Sequence, residues 1–258
     1  MLGTRTMACL FEVISNIDVA HTISILQSVG HYSHDLQSYG AVSTPHYKVA
    51  LLSALNRLNA ESRVNFCSEV VRLKGTIRDF TSPKYKFTER WARLERSLAL
   101  DGYGITGDTI VSTDPISEQL VTTEGSLDNL IRATKVPEAS DIISLIDHSA
   151  EDFVKQPPDF NGCLGNIRTA LETLAKSLAR LEQIRLREER DTSKWGNALS
   201  YLTAKKFLSE KEEKILASIY TLLSEEHRPI RITEEEMVRF ARALALSACW
   251  LLAKKGLA

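Results

Sequence analysis

The chain has 258 residues, of which 43% are apolar and 25% charged, a composition ordinary for one or two water-soluble domains. Its formal net charge of −1 sets aside a strongly basic nucleic-acid binder. No stretch approaches ~18 uninterrupted apolar residues, which sets aside a membrane-spanning helix.

The opening, MLGTRTMACLFEVISNIDVA, lacks a compact apolar core followed by a small-residue cleavage site, so no signal peptide is expected. Residues 1–43 carry mixed signals, and ISNIDVAHTISILQSVGHYSHDLQSYG fits helix or short strands. STPHYKVALLSALNRL is clearer: Ser43 or Thr44 can cap a helix whose first turn holds Pro45, where no hydrogen-bonded N–H is lost. In RVNFCSEVVRLKGTIRDF, Phe66, Val70, Leu73 and Ile77 recur at helical spacing. TERWARLERSLALDGY repeats that spacing with Trp91, Leu94 and Leu98 and stops at Gly102. Glycines 102, 104 and 107 then punctuate DGYGITGDTIVSTDP, where Ile105, Ile110 and Val111 flank the turn TGD. That pattern predicts a small β-hairpin or a glycine-rich connection. It is no phosphate loop, because no Lys-Ser/Thr pair follows.

From Val136 the periodicity is strongly helical. Pro137 opens a segment with Ile142, Leu145, Ile146 and Phe153, closed by QPPDF, whose two prolines cannot continue the hydrogen-bond ladder. Leu164, Ile167, Leu171, Leu174, Leu178 and Leu181 then fall at alternating steps of three and four, a long apolar seam on one helix face. Trp195 and Gly196 read as linker. Ser209 and Glu212 form a capping-box pattern ahead of Ile215, Leu216, Ile219 and Leu223, and Thr233 and Glu236 repeat it ahead of Val238, Ala241, Leu244, Ala245, Ala248 and Leu252. Lys254, Lys255 and Gly256 suit the end of that last helix. The fold expected is mainly α: an N-terminal helical region over 1–100, a short hairpin or linker over 101–135, and a bundle of about four helices over 136–258. Leucine and alanine seams fill such a core by themselves, so no cofactor is expected.

Several side chains carry chemistry. His227 lies in LLSEEHRPIR, between two predicted helices and beside Arg228 and Arg231. Histidine shuttles protons near neutral pH, and two arginines can hold a phosphate. Glu225 and Glu226 work against an anion there, and a loop histidine that merely favours the preceding helix C-terminus explains the same residues. Arg168 and Glu172 are one turn apart and flank the apolar seam, so Glu172 is placed to partner the arginine, while Asn166 points to another side. His21, His31, His34 and His46 form a histidine-rich stretch in which His31 and His34 are one helical turn apart. No cysteine or carboxylate pair completes a zinc spacing, so surface histidines and no metal are expected. Cys9, Cys67, Cys163 and Cys249 are far apart and form no Cys-x-x-Cys pair, which suits buried thiols in a reducing cytosol and a cytoplasmic location. Residues 1–160 hold 15 Lys and Arg against 20 Asp and Glu, and residues 161–258 hold 17 against 13. The acidic first part argues against nucleic-acid contact there, although a separate recognition role remains open for residues 1–135. The mildly basic second part tolerates a polyanion.

Arg90–Ile105 (RWARLERSLALDGYGI) resembles a segment of bacterial abortive-infection proteins of the Abi C-terminal and AbiJ-like kind. Ala150–Ala179 and Tyr220–Leu252 resemble the front and back halves of their helical domain, which is similar to the HEPN superfamily, so that the resemblance spans roughly residues 88–256. It implies a C-terminal HEPN-like bundle of four or five helices, preceded by a smaller helical region and a short hairpin. It also implies a role in anti-phage defence, and either dimerisation or metal-independent ribonuclease activity. In catalytic members an arginine precedes a histidine by four to six intervening residues. His227 stands at the histidine, but Tyr220, Thr221 and Leu222 stand where the arginine belongs. The resemblance therefore implies either an arginine supplied from elsewhere, by Arg168, Arg228 or Arg231, or a bundle that serves as a dimerisation or partner-binding module. In that module the small residues Ala241, Ala243, Ala245 and Ala248 of the last helix allow close approach. The partners implied are a second copy or a heteromeric defence complex, with RNA in the nuclease alternative, and no membrane.

Overall fold

The computed structural model describes residues 2–15, 17, 19–31, 36, 45–81, 83–113, 126–224 and 234–257. The described residues are mainly helical, with one two-stranded antiparallel sheet, and the chain divides into two compact units, Met1–Val121 and Thr122–Ala258.

The first unit opens with α1 (Thr4–Ile14) and α2 (Val19–Ser28), which resolves the mixed signals of the N-terminal region in favour of helix for these residues. The cause is tertiary. Leu2, Met7, Leu10, Val13 and Ile14 are buried with Phe66, Val70, Trp91, Leu94 and Leu98, and that burial outweighs weak local propensity. Gly30 stops α2 with a left-handed backbone (φ +75°). Its N–H donates to the Gln27 carbonyl at 3.0 Å and that of His31 to the Leu26 carbonyl at 2.9 Å, the two bonds of a Schellman motif. Pro45 is the first residue of α3 (Pro45–Arg57), while Ser43 and Thr44, the expected caps, lie outside the described residues.

The run predicted as one helix from Phe66 to Ile77 is two, α4 (Ala60–Arg72) and α5 (Lys74–Phe80), with the chain bent at Leu73 (φ −92°, ψ 13°). The Asn59 side chain caps α4 by accepting from the Ser62 N–H at 2.8 Å. The long α6 (Lys84–Leu100) follows Pro83 and runs antiparallel to α1, joined to it at three levels. The Gly3 N–H donates to the buried Asp101 carboxylate at 2.7 Å, Thr6 Oγ1 and Ser97 Oγ are 2.8 Å apart, and Arg93 Nη1 meets Glu12 Oε2 at 2.8 Å. Asp101 thus places a carboxylate at the positive end of α1. The predicted hairpin is present as β1 (Tyr103–Thr106) and β2 (Thr109–Ser112), paired Ile105 to Ile110. Its two-residue loop has Gly107 at φ +61°, the residue a type II′ turn needs first. Tyr103, Ile105 and Ile110 pack into the first unit's core.

In the second unit, residues 126–133 form α7, with Leu127 and Ile131 fully buried. Then come α8 (Ala139–Val154), α9 (Phe160–Leu186), α10 (Trp195–Ala204), α11 (Glu210–Leu222) and α12 (Glu234–Lys255). The 27-residue α9 is the axis, packed by α8, α10 and α12. Every residue of the predicted seam belongs to or packs on this core, and Asn166, on the far side of α9, donates to Asp152 of α8 at 2.8 Å. The capping box is formed: Ser209 and Glu212 bond to each other's backbone N–H at the start of α11. Trp195 and Gly196 are not linker, as the sequence suggested, but the first turn of α10. Ala198, Leu199, Tyr201 and Leu202 are buried, and a glycine in a first turn weakens no interior hydrogen bond. Thr233 lies outside the described residues.

All four cysteines are free and buried. Among the described residues no helix is long and apolar enough to cross a membrane.

Leu174 is fully buried on α9 and Ile184 is 75% exposed near its end. Leu174→Ala is expected to destabilise by about 2–5 kcal/mol through the cavity it leaves, and Ile184→Ala by no more than about 0.5 kcal/mol, read as shifts of the urea midpoint.

Candidate functional site

The side chains with chemical potential that the structure brings together lie where α9, α10 and α11 meet. The periodicity of α9 that buries Ile167, Leu171 and Leu174 leaves Arg168, Glu172 and Lys176 half-buried along its edge. The capping box fixes the start of α11, and its last turns bring Tyr220 over that edge. Trp195, the first residue of α10, stacks on Tyr220 with ring centroids 4.7 Å apart and planes 15° apart. The Tyr220 hydroxyl donates to Glu172 Oε2 at 2.8 Å, Lys176 Nζ pairs with Glu172 Oε1 at 2.5 Å, and the Arg168 guanidinium carbon lies 5.9 Å from the Tyr220 ring centroid.

The expected Arg168–Glu172 pair is therefore replaced. Glu172 gives its oxygens to Lys176 and Tyr220, and Arg168 faces an aromatic ring. Helix geometry explains the choice, since a glutamate four residues before a lysine is the favoured order along a helix and an arginine before a glutamate is the reverse. Among the described residues Arg168 meets no carboxylate at ion-pair distance. Partial burial pushes the Glu172 carboxyl up, but the hydrogen bonds from Lys176 and Tyr220 and the charges of Lys176 and Arg168 overcome this and hold it below the ordinary glutamate value. Burial, then the bond to Glu172, pushes the Tyr220 phenol up. The phenol stays a neutral donor and Glu172 an engaged acceptor. The group left able to hold a phosphate is Arg168.

Of the site residues expected from sequence, Arg168 lies in this cluster. His227 and Arg231, with Arg228, lie outside the described residues, which stop at Ser224, four residues beyond Tyr220. In the histidine-rich stretch, His21 packs against Phe80 with ring centroids 4.9 Å apart and His46 is exposed in the first turn of α3. His31 lies past the end of α2, and His34 is outside the described residues. Among the described residues no group of three His, Cys, Asp or Glu side chains is placed to hold a metal.

Two features escaped the sequence. The Trp195–Tyr220 stack joins residues on separate helices, and no local pattern announces it. The second is Arg242, buried on α12, whose Nε donates to Ser149 Oγ of α8 at 3.1 Å, with Cys163 Sγ of α9 3.4 Å from the same hydroxyl. Its signal was available: Arg242 occupies the apolar register between Val238 and Ala245. Burial pushes the Cys163 thiol up, against the pull of the Arg242 charge.

No known protein family, curated protein or solved structure matches the chain.

A carboxylate held below its ordinary value stabilises above that value, 4.5 for glutamate, and the contribution is lost as pH falls through the lowered one. Wild type is therefore expected to exceed Glu172→Gln by about 1 kcal/mol at pH 7, with the gap closing as the solution is acidified through the carboxylate range, measured by urea unfolding at a series of pH values.

Proposed function

We propose that the chain is a component of a bacterial anti-phage system of the abortive-infection kind, whose HEPN-like second unit acts as a dimerisation or partner-binding module. The observation that carries this reading is the outer face of α12. Phe240 is 55% and Trp250 36% exposed, and at 100° per residue they lie about 80° apart on the same side of the helix. By the same geometry the half-buried Ala243 lies between them, and the half-buried Leu244 and Leu251 flank Phe240 on its other side. Of the four alanines expected to serve an interface, Ala241, Ala245 and Ala248 are consumed by the unit's own core, while Ala243 is half-buried. The aromatic stripe is therefore what a partner would cover, since exposed apolar stripes of this sort mark association surfaces. A second copy of the chain is the simplest occupant, in line with the dimers of the superfamily that the sequence resembles.

A second reading, metal-independent ribonuclease, is favoured by one contact. Arg168 lies over Tyr220, one of the three positions where the motif's arginine belongs. A guanidinium from α9 thereby reaches the place that α11 leaves without one. In this reading Arg168, or Arg231, steadies the phosphate charge and His227 acts as general acid or base.

Sedimentation velocity at tens of micromolar tests the first reading: wild type is expected to be dimeric and Phe240→Glu/Trp250→Glu monomeric with unchanged circular dichroism. A monomeric wild type, or a dimer indifferent to both changes, would sink it. Incubation of the purified protein with RNA in chelator tests the second. Wild type should cleave, and His227→Ala and Arg168→Ala should each slow single-turnover cleavage by about 100-fold or more. Cleavage by His227→Ala at the wild-type rate rules that chemistry out.

A further inference from the structure

The near-neutral balance of the first unit hides a strong segregation of charge. Residues 72–96 hold eight Lys and Arg against three Asp and Glu, whereas residues 97–121 hold four acids and no base. The basic stretch is α5, α6 and the elbow between them. Several of its cations are already engaged: Arg72 by Glu69 at 2.6 Å, Lys74 by Glu95 at 3.7 Å and by the face of Trp91, and Arg93 by Glu12. Lys84 Nζ closes the elbow itself, donating to the Arg78 and Asp79 carbonyls at 3.0 and 3.1 Å and pairing with the Asp79 carboxylate at 3.3 Å. Arg96 is engaged as well, which leaves Arg78, Lys86 and Arg90 with no carboxylate at ion-pair distance among the described residues. Arg78 and Lys86 are exposed and Arg90 is half-buried. Lys86 and Arg90 are four apart on α6 and so share a face.

Beside these cations stand aromatic rings that the core does not use. Phe80, the last residue of α5, is 52% exposed, and Tyr85, in the first turn of α6, is 61% exposed. They flank the elbow five residues apart, a span of no more than ~18 Å of chain. The exposed ring of His21, from α2, lies against Phe80. The buried aromatics of α6, Phe87 and Trp91, stack on each other inside, with centroids 5.4 Å apart. The exposed pair is therefore separate from the packing that holds the helix in place.

The geometry points to the α5–α6 elbow as a docking surface for single-stranded nucleic acid. Uncommitted cations track a phosphate backbone, and exposed rings give unpaired bases a stacking platform; this is the pairing of features that sequence-tolerant single-strand binding uses. A duplex hides its base faces and gains from the charges alone. A membrane surface would be served by a continuous apolar face rather than two rings interleaved with cations, and an acidic peptide would leave the rings without a use. The surface lies wholly within the first unit and is independent of the reading proposed for α12 and Arg168.

The test is fluorescence anisotropy of full-length His227→Ala protein, which cannot consume the probe by the chemistry considered above. The probes are a labelled 12-nucleotide single strand and its duplex, titrated over a salt series. The single strand is expected to bind at least 10-fold tighter than the duplex. The slope of log affinity against log salt should be about −2, as for three phosphates neutralised on a single strand. Phe80→Ala and Tyr85→Ala should each weaken the single strand by about 5-fold or more and leave the slope unchanged. Lys86→Glu/Arg90→Glu should abolish binding. These positions are exposed or half-exposed, and an unchanged thermal midpoint verifies that each variant is folded. No single-strand binding at low salt, equal binding of duplex, indifference to loss of the rings, or binding confined to phosphatidylserine vesicles would each overturn the proposal.

Discussion

Everything in the second unit depends on how α9 hides its apolar residues. Cys163, Ile167, Ala170, Leu171, Leu174, Ala175, Leu178 and Ala179 are all buried, and they do not lie on one narrow stripe. A helix buried over so much of its circumference needs cover from several sides, and α8, α10 and α12 supply it. Small residues make the close approach workable. Ala170, Ala175 and Ala179 on α9 and Ala241, Ala245, Ala248 and Ala253 on α12 are all buried. Gly256, just past α12, packs closely on α9: a Cβ there would stand 2.7 Å from Leu178 Cδ2 and the leucine would have to shift. Polar links then fix the register that apolar packing alone leaves loose. Ser177 and Arg180 donate to Glu138 at 2.6 and 3.0 Å, and Lys255 ties the end of α12 to the Phe207 carbonyl and to Glu212 at 3.1 and 3.0 Å.

The same packing creates the candidate site. Because the core takes Ile167, Leu171 and Leu174, the residues between them on the adjoining edge are free to be polar, and α11 lays Tyr220 across them. The cluster is held by a stacked ring pair, a phenol bonded to a carboxylate and a lysine that neutralises it. Among the described residues, Arg168 is the member whose hydrogen-bonding capacity is not spent on this scaffold. The buried Arg242 contrasts with it, since its guanidinium bonds within the core, where an unpaired charge would be costly.

Patterns that report local physics were legible in the sequence. The leucine seam predicted α9, Ser209 and Glu212 predicted the start of α11, and Gly107 predicted the hairpin turn, because each depends on residues within a few positions of one another. What was not legible depends on distant partners. The strand-like residues of α1 and α2 become helical because α4 and α6 bury them. The bend at Leu73 interrupts an apolar spacing that reads as continuous. Trp195 and Gly196 look like a break until the burial of Leu199 and Leu202 is known. At the site, Arg168 and Glu172 have the spacing of an ion pair, yet Lys176 competes from the better side and Tyr220 arrives from 48 positions away. Mean charge hides a segregation in the first unit, because it averages a basic elbow with an acidic stretch downstream.

The bonds between α1 and α6 close the first unit over a great length of chain: 98 positions separate Gly3 from Asp101, and 91 separate Thr6 from Ser97. Contacts of such long range are slow to form, because the intervening chain must surrender its freedom before they reward it. During synthesis α1 leaves the ribosome well before α6, so Leu2, Leu10 and Ile14 lack that helix's cover until it has emerged. At ~5–20 residues per second that wait is several seconds, the interval in which a nascent chain is most open to chaperones and to wrong partners.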